Sequence, residues 1–265
     1  MRAFLKATLA LGAMSAAFPA LANQRHYTYT YETATLPMGA AELENTTTIR
    51  LIREDYYARF DHRLEFEIGL IDALQAALYV NFHEQAKGEP VVSESAFDGV
   101  SLELKGKLTD PVADPLGVGL YLEIGGSPTA VEVEGKLLLE KQIGDANLSI
   151  NLIYEAEFER DEADLELDAH VAAIAVGAAW FATPNWSIGA ELVSRTKIAK
   201  QGDSLELDYS ALFLGPTVAY SAEKYWLAAT VLPQIAALAG ARDGRVLALG
   251  SRERLEIRLI LALEM

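Results

Sequence analysis

The last twelve residues of the chain, Arg254 to Met265, read RLEIRLILALEM. From Leu255 to Met265 every second residue is Leu, Ile or Met, and charged residues stand at several of the positions between them. Because successive side chains of a strand point to opposite faces, this segment predicts a strand with one apolar and one charged face.

The same alternation recurs along the chain. Residues 63–70 read RLEFEIGL, and comparable patterns occupy 100–108 and 148–159. A soluble β-sandwich also alternates, with its apolar face turned inward. These segments, however, reach the 9–11 residues that a tilted membrane strand needs. We therefore predict an all-β fold, a closed antiparallel up-and-down transmembrane β-barrel.

The connections support an even number of strands. Short and longer connections alternate along the chain, as expected for periplasmic turns and outer loops, and this places both ends of the barrel in the periplasm. A fourteen-stranded barrel, with a further strand inside 234–250, is the alternative. The twelve predicted strands are 41–52, 57–70, 74–84, 97–108, 116–125, 130–142, 147–160, 164–181, 185–198, 205–220, 224–233 and 254–265.

The N-terminus has the order of a secretory signal peptide. Arg2 and Lys6 precede an apolar stretch over 7–18, and Ala20-Leu21-Ala22 provides small residues for cleavage. We expect cleavage near Ala22. The apolar part is short for a membrane-spanning helix, although an uncleaved anchor is the alternative reading.

Residues 23–40 fit neither the signal peptide nor the strand count. Tyr27, Tyr29 and Tyr31 alternate with threonines, which on local grounds indicates a strand. A thirteenth strand would spoil the alternation of loops, so we interpret this segment as a periplasmic lead-in or as a segment inside the lumen.

Composition excludes several classes of protein. The formal net charge is −16 and becomes −18 without residues 1–22, which argues against nucleic-acid partners. There are no cysteines, so disulfides and thiolate metal sites are excluded. The most apolar internal stretch, 225–241, contains Pro233 and Gln234, which argues against a spanning helix there.

Aromatic residues cluster at predicted strand ends, where an interfacial girdle is expected. Ordinary sheet aromatics would explain any single cluster equally well. The clusters are Trp180, Phe181 and Trp186; Tyr220, Tyr225 and Trp226; and Tyr56, Tyr57 and Phe60.

Taken together, the signal peptide, the amphipathic strands and the alternating C-terminal strand resemble Gram-negative outer-membrane β-barrel proteins of the porin-like kind. The phrases YETATLPMG (31–39) and KLTDPVADPLG (107–117) also resemble an uncharacterised family of predicted outer-membrane proteins. The resemblance implies location in the bacterial outer membrane and insertion by the barrel assembly machinery. Met265 departs from the class, which usually ends in an aromatic residue.

Enzyme and metal-site patterns are missing from the sequence. The resemblance to the outer-membrane phospholipase would require a His-x-Ser motif, and none of the four histidines has Ser two residues later. A base from a distant strand is the remaining route to an enzyme. Four scattered histidines give no ligand spacing for zinc or copper, and Asp110 and Asp114 lie in a proline-rich segment that suits a rigid turn. We predict no catalytic residues, no metal and no cofactor.

The charged positions of the strands are predicted to face the lumen, and acidic residues outnumber basic ones among them. Such a wall favours cations. The predicted lumen-facing residues are Glu65, Glu67, Glu103, Lys105, Lys107, Glu134, Lys136, Glu155, Glu157, Glu166, Asp168, Glu191, Arg195, Glu206, Asp208, Glu256 and Arg258.

These observations predict a porin-like channel for the passive passage of small solutes, with a cation-leaning lumen. A closed or plugged barrel with a structural or ligand-binding role is the alternative, because charges of both signs could meet across a narrow barrel. The residues 23–40 could be the plug. Expected partners are outer-membrane lipid and lipopolysaccharide, whose phosphates Arg242 and Arg245 could pair.

Overall fold

The computed structural model describes residues 24–161, 164–202 and 204–265. The predicted signal peptide lies outside this range. Among the described residues, no helix has the length and apolarity needed to cross a bilayer. The described residues form twelve strands: β1 (Ala41–Leu51), β2 (Tyr57–Ile71), β3 (Leu74–Lys87), β4 (Val92–Thr109), β5 (Gly117–Gly126), β6 (Ala130–Ile143), β7 (Ala146–Asp161), β8 (Asp164–Phe181), β9 (Trp186–Gln201), β10 (Ser204–Ser221), β11 (Tyr225–Ala239) and β12 (Leu255–Glu264).

The sheet closes on itself. Each strand pairs antiparallel with the next along the chain, and β1 pairs with β12 from Glu42–Glu264 to Leu51–Leu255. Closure leaves no strand edge with unpaired backbone groups, which is the condition for spanning a membrane with strands. The prediction of a closed, all-β, twelve-stranded barrel is confirmed.

The fourteen-stranded alternative is wrong. The residues between β11 and β12 form turns, with Gly240, Asp243 and Gly244 at positive φ. The Ala237 N–H donates to the Val246 carbonyl at 2.7 Å, which turns this connection back onto the end of β11. We call residues 240–254 the last outer loop.

The two faces of the strands separate as the alternation predicts. On β2, the outward side chains of Leu64, Phe66 and Ile68 are 37–43% exposed, whereas Glu65 and Glu67 between them are 5% exposed or less. Apolar side chains on the outer face suit contact with lipid, and charged ones line the interior.

The strands extend further outward than the sequence suggests. Residues 85–96 were expected to form an outer loop, yet β3 continues to Lys87 and β4 begins at Val92. Gln85 pairs with Glu94 in the ladder, and its amide donates to that carboxylate at 2.8 Å. The β3–β4 hairpin thus continues with polar residues past the part of the strands in which apolar and charged residues alternate. The sequence pattern of a membrane strand ends there, although the strands do not.

Only part of the predicted aromatic girdle lies on the outer face. Trp180 and Trp186 are about half exposed beside the β8–β9 turn. Trp226, by contrast, is fully buried and Tyr57 is 8% exposed. Because neighbouring residues of a strand face opposite ways, an outward Tyr225 sends Trp226 into the barrel.

The β4–β5 turn has the rigid form predicted for its proline-rich sequence. The Asp110 carboxylate accepts N–H groups from Val112 and Ala113 at 2.9 and 3.0 Å, and Asp114 accepts the Asp110 N–H at 2.8 Å. The Ala113 and Val112 N–H groups hold the pKa of Asp110 below its usual range. These carboxylates bond to their own turn, which argues against a calcium cage at this place.

Candidate functional site

Residues 24–36 lie inside the barrel, and we call them the plug segment. The structure assigns them no strand, although Tyr27–Tyr31 has the alternation of one. A closed barrel offers no free edge to pair with, so the backbone N–H groups find side-chain acceptors instead. The acceptors are Glu191 on β9, Asn151 on β7, Glu140 on β6 and Gln75 on β3.

Glu191 is the main anchor of the plug segment. Its carboxylate accepts the backbone N–H groups of Thr28, Tyr29 and Thr30 at 2.9, 2.8 and 2.7 Å. The Thr230 hydroxyl donates to it at 2.6 Å from β11. Glu191 is fully buried, and three consecutive N–H groups form a cradle of the kind that stabilises an anion. The sequence placed Glu191 in the lumen but gave no sign of its partners.

Tyr27 docks against a glycine. A Cβ on Gly177 of β8 would come within 2.6 Å of the Tyr27 ring. The Tyr27 hydroxyl donates to the backbone carbonyl and the side-chain oxygen of Asn147, both at 2.9 Å. Gly177 therefore leaves the space in the barrel wall that the ring occupies.

Tyr29 lies between two charged side chains and an apolar wall. Its hydroxyl donates to Glu256 at 3.0 Å, and the Arg258 guanidinium stacks on its ring at 3.9 Å. The apolar wall was not predicted, because only charged positions were assigned to the lumen, whereas β8 and β10 also carry small or aromatic residues inward. The cluster that includes Tyr29 consists of Ala175, Val193, Tyr209, Ala211, Phe213, Leu232 and Ala248.

Above the plug segment lies a cavity of about 940 Å³, which we call the outer vestibule. Arg25, Thr28, Tyr29 and Tyr31 of the plug segment line it from below, and residues 127–129 of the β5–β6 loop line it at the outer rim. The vestibule is therefore a space on the outer side of the barrel that ends at the plug segment.

Arginines and glutamates are unevenly distributed around the vestibule, although each side also carries the other sign: Glu44, Asp61 and Glu65 lie beside the arginines and Lys136 beside the glutamates. Strand β6 is six places from β12 in the closed order of strands, so the two lie across the barrel. One side, formed by β12, β1, β2 and adjoining loops, is rich in arginine, and the other, formed by β5–β7, is rich in glutamate. The first carries Arg50, Arg53, Arg59, Arg63, Arg252 and Arg258, and the second carries Glu123, Glu132, Glu134, Glu155 and Glu157.

Many of the charged side chains around the vestibule form ion pairs with other residues of the barrel. Arg63 pairs with Glu123 at 3.1 Å and Lys197 with Glu157 at 2.7 Å. Arg252 folds inward with the last outer loop and is 8% exposed, so it does not face lipid. Arg245 pairs at 2.9 Å with Glu54.

The predicted lumen-facing residues occupy different heights and environments. Two of them, Glu166 and Glu206, are exposed at the outer ends of β8 and β10. The remaining fifteen are partly or fully shielded. Those fully buried are Glu65, Glu67, Glu103, Lys105, Lys136, Glu191 and Glu256; those half-buried are Lys107, Glu134, Glu155, Glu157, Asp168, Arg195, Asp208 and Arg258.

Two β-bulges modify the predicted faces. The β7–β8 register shifts between Glu157 and Phe158, with Asp168 left out of the paired positions. A bulge puts two residues opposite one, so beyond it Ala169 is buried and His170 contacts the half-exposed Tyr154, whose hydroxyl lies 2.6 Å from its Nδ1. Asp208 lies at a similar shift and accepts the Ser251 hydroxyl at 2.7 Å.

One row of paired positions carries a series of acidic residues. Starting from Glu42 and passing through Ala77, consecutive register partners on β1 to β7 are almost all glutamates. We call these residues the glutamate belt: Glu42, Glu67, Glu103, Glu123, Glu134 and Glu155.

Comparison with protein families places the chain. A family model described as "Family of unknown function (DUF6662)" matches residues 19–265. The chain belongs to this family. A search of curated proteins finds no match.

Solved structures with a similar fold include outer-membrane channels. The COG4313 outer membrane channel from Pseudomonas putida F1 aligns with a TM-score of 0.68 and 11% identity over 90% of this chain and 100% of that one. The NanC porin gives 0.54 and 13% over 84% and 100%. A KdgM porin in complex with disordered oligogalacturonate gives 0.51 and 11% over 84% and 99%. The fold is therefore that of outer-membrane barrel channels and porins.

A serine, a histidine and a carboxylate meet at the periplasmic end of the plug segment. His26 Nδ1 lies 3.1 Å from Ser187 Oγ, and its Nε2 lies 3.7 Å from Glu32 Oε1. A His-x-Ser motif does not reveal this contact, because His26 and Ser187 are far apart in sequence. Ser187 is 3% exposed, and its contact with His26 joins β9 to the plug segment.

Proposed function

We propose that the protein is an outer-membrane channel for the passive passage of small polar solutes, and that the plug segment closes its lumen in the state described. The observation that carries the proposal is the outer vestibule of about 940 Å³, whose lower boundary is a separate segment and not the barrel wall. A cleaved signal peptide ending near Ala22 would deliver the chain to that membrane.

The contacts that hold the plug segment could break without disrupting the barrel. Its backbone is held by individual side-chain acceptors such as Glu191 and Asn151, not by a strand ladder. Displacing it would leave the closed ladder from β1 to β12 intact. The barrel would then contain a continuous path from the outer vestibule to the periplasm.

A cation preference of the open lumen is the finer part of the proposal. The vestibule itself carries both signs of charge, so it suits solutes with a dipole. Displacement of the plug segment removes Arg25, which lies 3.7 Å from Glu44, and exposes the glutamate belt. Carboxylates along a water-filled path lower the free energy of cations in it.

The test is the conductance of planar bilayers that contain the refolded chain from Asn23 onward. We expect little current from this chain, and discrete steps from a variant lacking residues 24–36. Residues 37–40 are kept because Gly39 donates to the Gly69 carbonyl at 2.8 Å and Gly69 to the Ala40 carbonyl at 2.9 Å, which hold the start of β1. In a potassium chloride gradient, the reversal potential should lie on the cation side.

Two outcomes would contradict the proposal. A deletion variant that inserts, keeps its sheet content by circular dichroism and remains silent would indicate a closed barrel. Equal conductance from both chains would show that the plug segment does not close the lumen. Glu206→Gln, at the exposed outer end of β10, serves as the control and should behave as the parent chain does.

The second candidate function is a barrel that binds a ligand without transport. The vestibule volume lies within the roughly 300–1,000 Å³ of ligand pockets, and its charged lining fits a polar ligand. A silent deletion variant, together with saturable binding of a charged solute from the outer side, would favour this function.

A further inference from the structure

Five buried glutamates face one another across β1, β2 and β4 beside the plug segment. The register sets Glu42 opposite Glu67 and Glu44 opposite Glu65, and Glu103 projects from β4. All five are 5% exposed or less. Like charges directly opposite in a sheet destabilise it, so the arrangement calls for compensation.

The carboxylates converge closely enough to share a ligand. Atoms of Glu42, Glu44 and Glu67 lie within 4.8 Å of one another, and so do atoms of Glu65, Glu67 and Glu103. Glu67 joins the two groups. Oxygen ligands bind Ca²⁺ at roughly 2.3–2.6 Å, so two ligands of one ion lie no more than about 5 Å apart.

Donors fix one oxygen of three of these carboxylates and leave the other without a partner. Trp226 Nε1 donates to Glu42 Oε2 at 3.0 Å, the Thr46 hydroxyl to Glu44 Oε1 at 2.9 Å, and the Tyr79 hydroxyl to Glu103 Oε2. The second oxygens of Glu42, Glu44 and Glu103 are buried and accept no hydrogen bond from the described residues. Buried carboxylate oxygens are ordinarily satisfied, so these three point to a ligand.

The charge of the group also favours a cation. Arg25 and Lys105 act on Glu44, and Lys105 and Lys136 act on Glu103, although Lys136 also pairs with Glu134 at 2.7 Å. Even when all three are counted, three positive charges against five carboxylates leave an excess that a divalent cation would neutralise. A donor set made only of carboxylate oxygens selects a hard cation over zinc or copper.

We propose that Glu42, Glu44, Glu65, Glu67 and Glu103 form a binding site for a hard divalent cation, with Ca²⁺ as the best fit. Ca²⁺ accepts several carboxylates in irregular geometry, whereas Mg²⁺ demands an octahedron and retains water. The proposal does not depend on whether the barrel conducts.

The site is joined to the plug segment at two points. Arg25 lies 3.7 Å from Glu44. Gln75 donates to Glu67 at 2.9 Å and accepts the Leu36 N–H at 3.0 Å. A bound cation would compete with Arg25 for Glu44 and would set the position of Gln75, so its occupancy would influence how the plug segment is held.

The test is calorimetric titration of the refolded, chelator-treated chain with CaCl₂, paired with terbium luminescence excited through tryptophan. We expect saturable binding, terbium emission that Ca²⁺ displaces, and affinity at least roughly tenfold weaker in Glu67→Gln, since even outer partners of a metal contribute that much. Trp226→Phe should abolish most of the terbium emission, because Trp226 contacts Glu42 and is the tryptophan nearest the site. The affinity measured by calorimetry should change by a smaller factor.

Folding of the variants is checked by urea unfolding without Ca²⁺. Glu67→Gln removes like-charge repulsion and should unfold at a urea concentration no lower than the parent, whereas Ca²⁺ should raise the unfolding midpoint of the parent and of Glu206→Gln more than that of Glu67→Gln. Glu103→Gln is the second variant, and Glu206→Gln is the control that should bind as the parent does. Absence of saturable binding, or equal binding by the parent and both cluster variants, would overturn the proposal.

Discussion

A single carboxylate holds much of the plug segment in place. Glu191 accepts three consecutive backbone N–H groups and the Thr230 hydroxyl in a fully buried position. In Glu191→Gln one acceptor oxygen becomes an NH₂ group that faces donors. We expect the seating of the plug segment to weaken by about 3 kcal/mol, since each buried donor left unsatisfied costs roughly 1–3 kcal/mol.

Maleimide labelling of Thr30→Cys measures this effect, because the chain has no native cysteine and Thr30 is fully buried. The labelling rate should rise by about a hundredfold when Glu191→Gln is added. The Glu206→Gln control should leave the rate unchanged. A rate that Glu191→Gln does not alter would mean that other contacts hold the segment.

At the residue scale, the sequence predicts which face of the strand a side chain occupies. It predicts less well how far along the barrel axis the side chain lies and which residue it bonds to. The alternation puts Glu191 and Glu256 on the inner face of the strands, and both are buried. It puts Glu166 and Glu206 there too, although both lie at exposed outer ends, because alternation carries no information on where the lumen stops. The contacts of Glu191 with Thr28, Tyr29 and Thr30 join residues more than 160 positions apart, which no local pattern encodes.

At the scale of elements, β8 is shaped to receive the plug segment. Gly177→Val would place side-chain atoms where the Tyr27 ring lies. We expect the ring to be expelled and the plug segment weakened by roughly 1–3 kcal/mol, the usual cost of overpacking. Labelling at Thr30→Cys should accelerate, while unfolding of the barrel in urea should change little.

Gly135→Ala on β6 is the matched control, since its Cβ would meet only one atom, at the ordinary distance of 3.9 Å. Slow labelling in Gly177→Val, with unfolding at clearly lower urea, would instead mean that Gly177 serves the barrel wall and not the plug segment.

The elements themselves follow from local pattern more fully than the plug segment does. Strand β8 was predicted with the bounds it has, because alternation and turn residues are both local signals. Tyr27–Tyr31 has the alternation of a strand but forms none, since its backbone partners are side chains of the barrel. Such a segment can form a strand only where a strand edge is free for pairing, and the closed barrel leaves no free edge.

At the scale of the whole molecule, closure separates a lipid-facing exterior from a charged interior. The outward residues Val100, Leu102, Leu104 and Leu108 of β4 form one continuous apolar run. The interior carries the glutamate belt on β1–β7 and an apolar wall on β8–β11. Sequence alternation predicts the exterior well because lipid demands apolar side chains on every strand, whereas the interior has no such uniform requirement.

Placing a charge at two depths on the outer face of β4 and measuring the loss of unfolding free energy tests this architecture. Leu104 lies in the middle of the apolar run and is 47% exposed. Leu104→Arg should cost about 2–4 kcal/mol at the bilayer centre, whereas Leu108→Arg near the periplasmic interface should cost about 0–1 kcal/mol. Urea unfolding in lipid vesicles, compared with the parent chain, gives both values.

The comparison of the two arginine variants removes the chemistry of the substitution itself, because residue type and strand are the same. Equal and small costs would mean that the outer face of β4 does not contact lipid, and the barrel would then have to be soluble. Equal and large costs would mean that Leu108 lies as deep as Leu104. The bilayer would in that case extend beyond the periplasmic end of β4, to the level of the Asp110 turn.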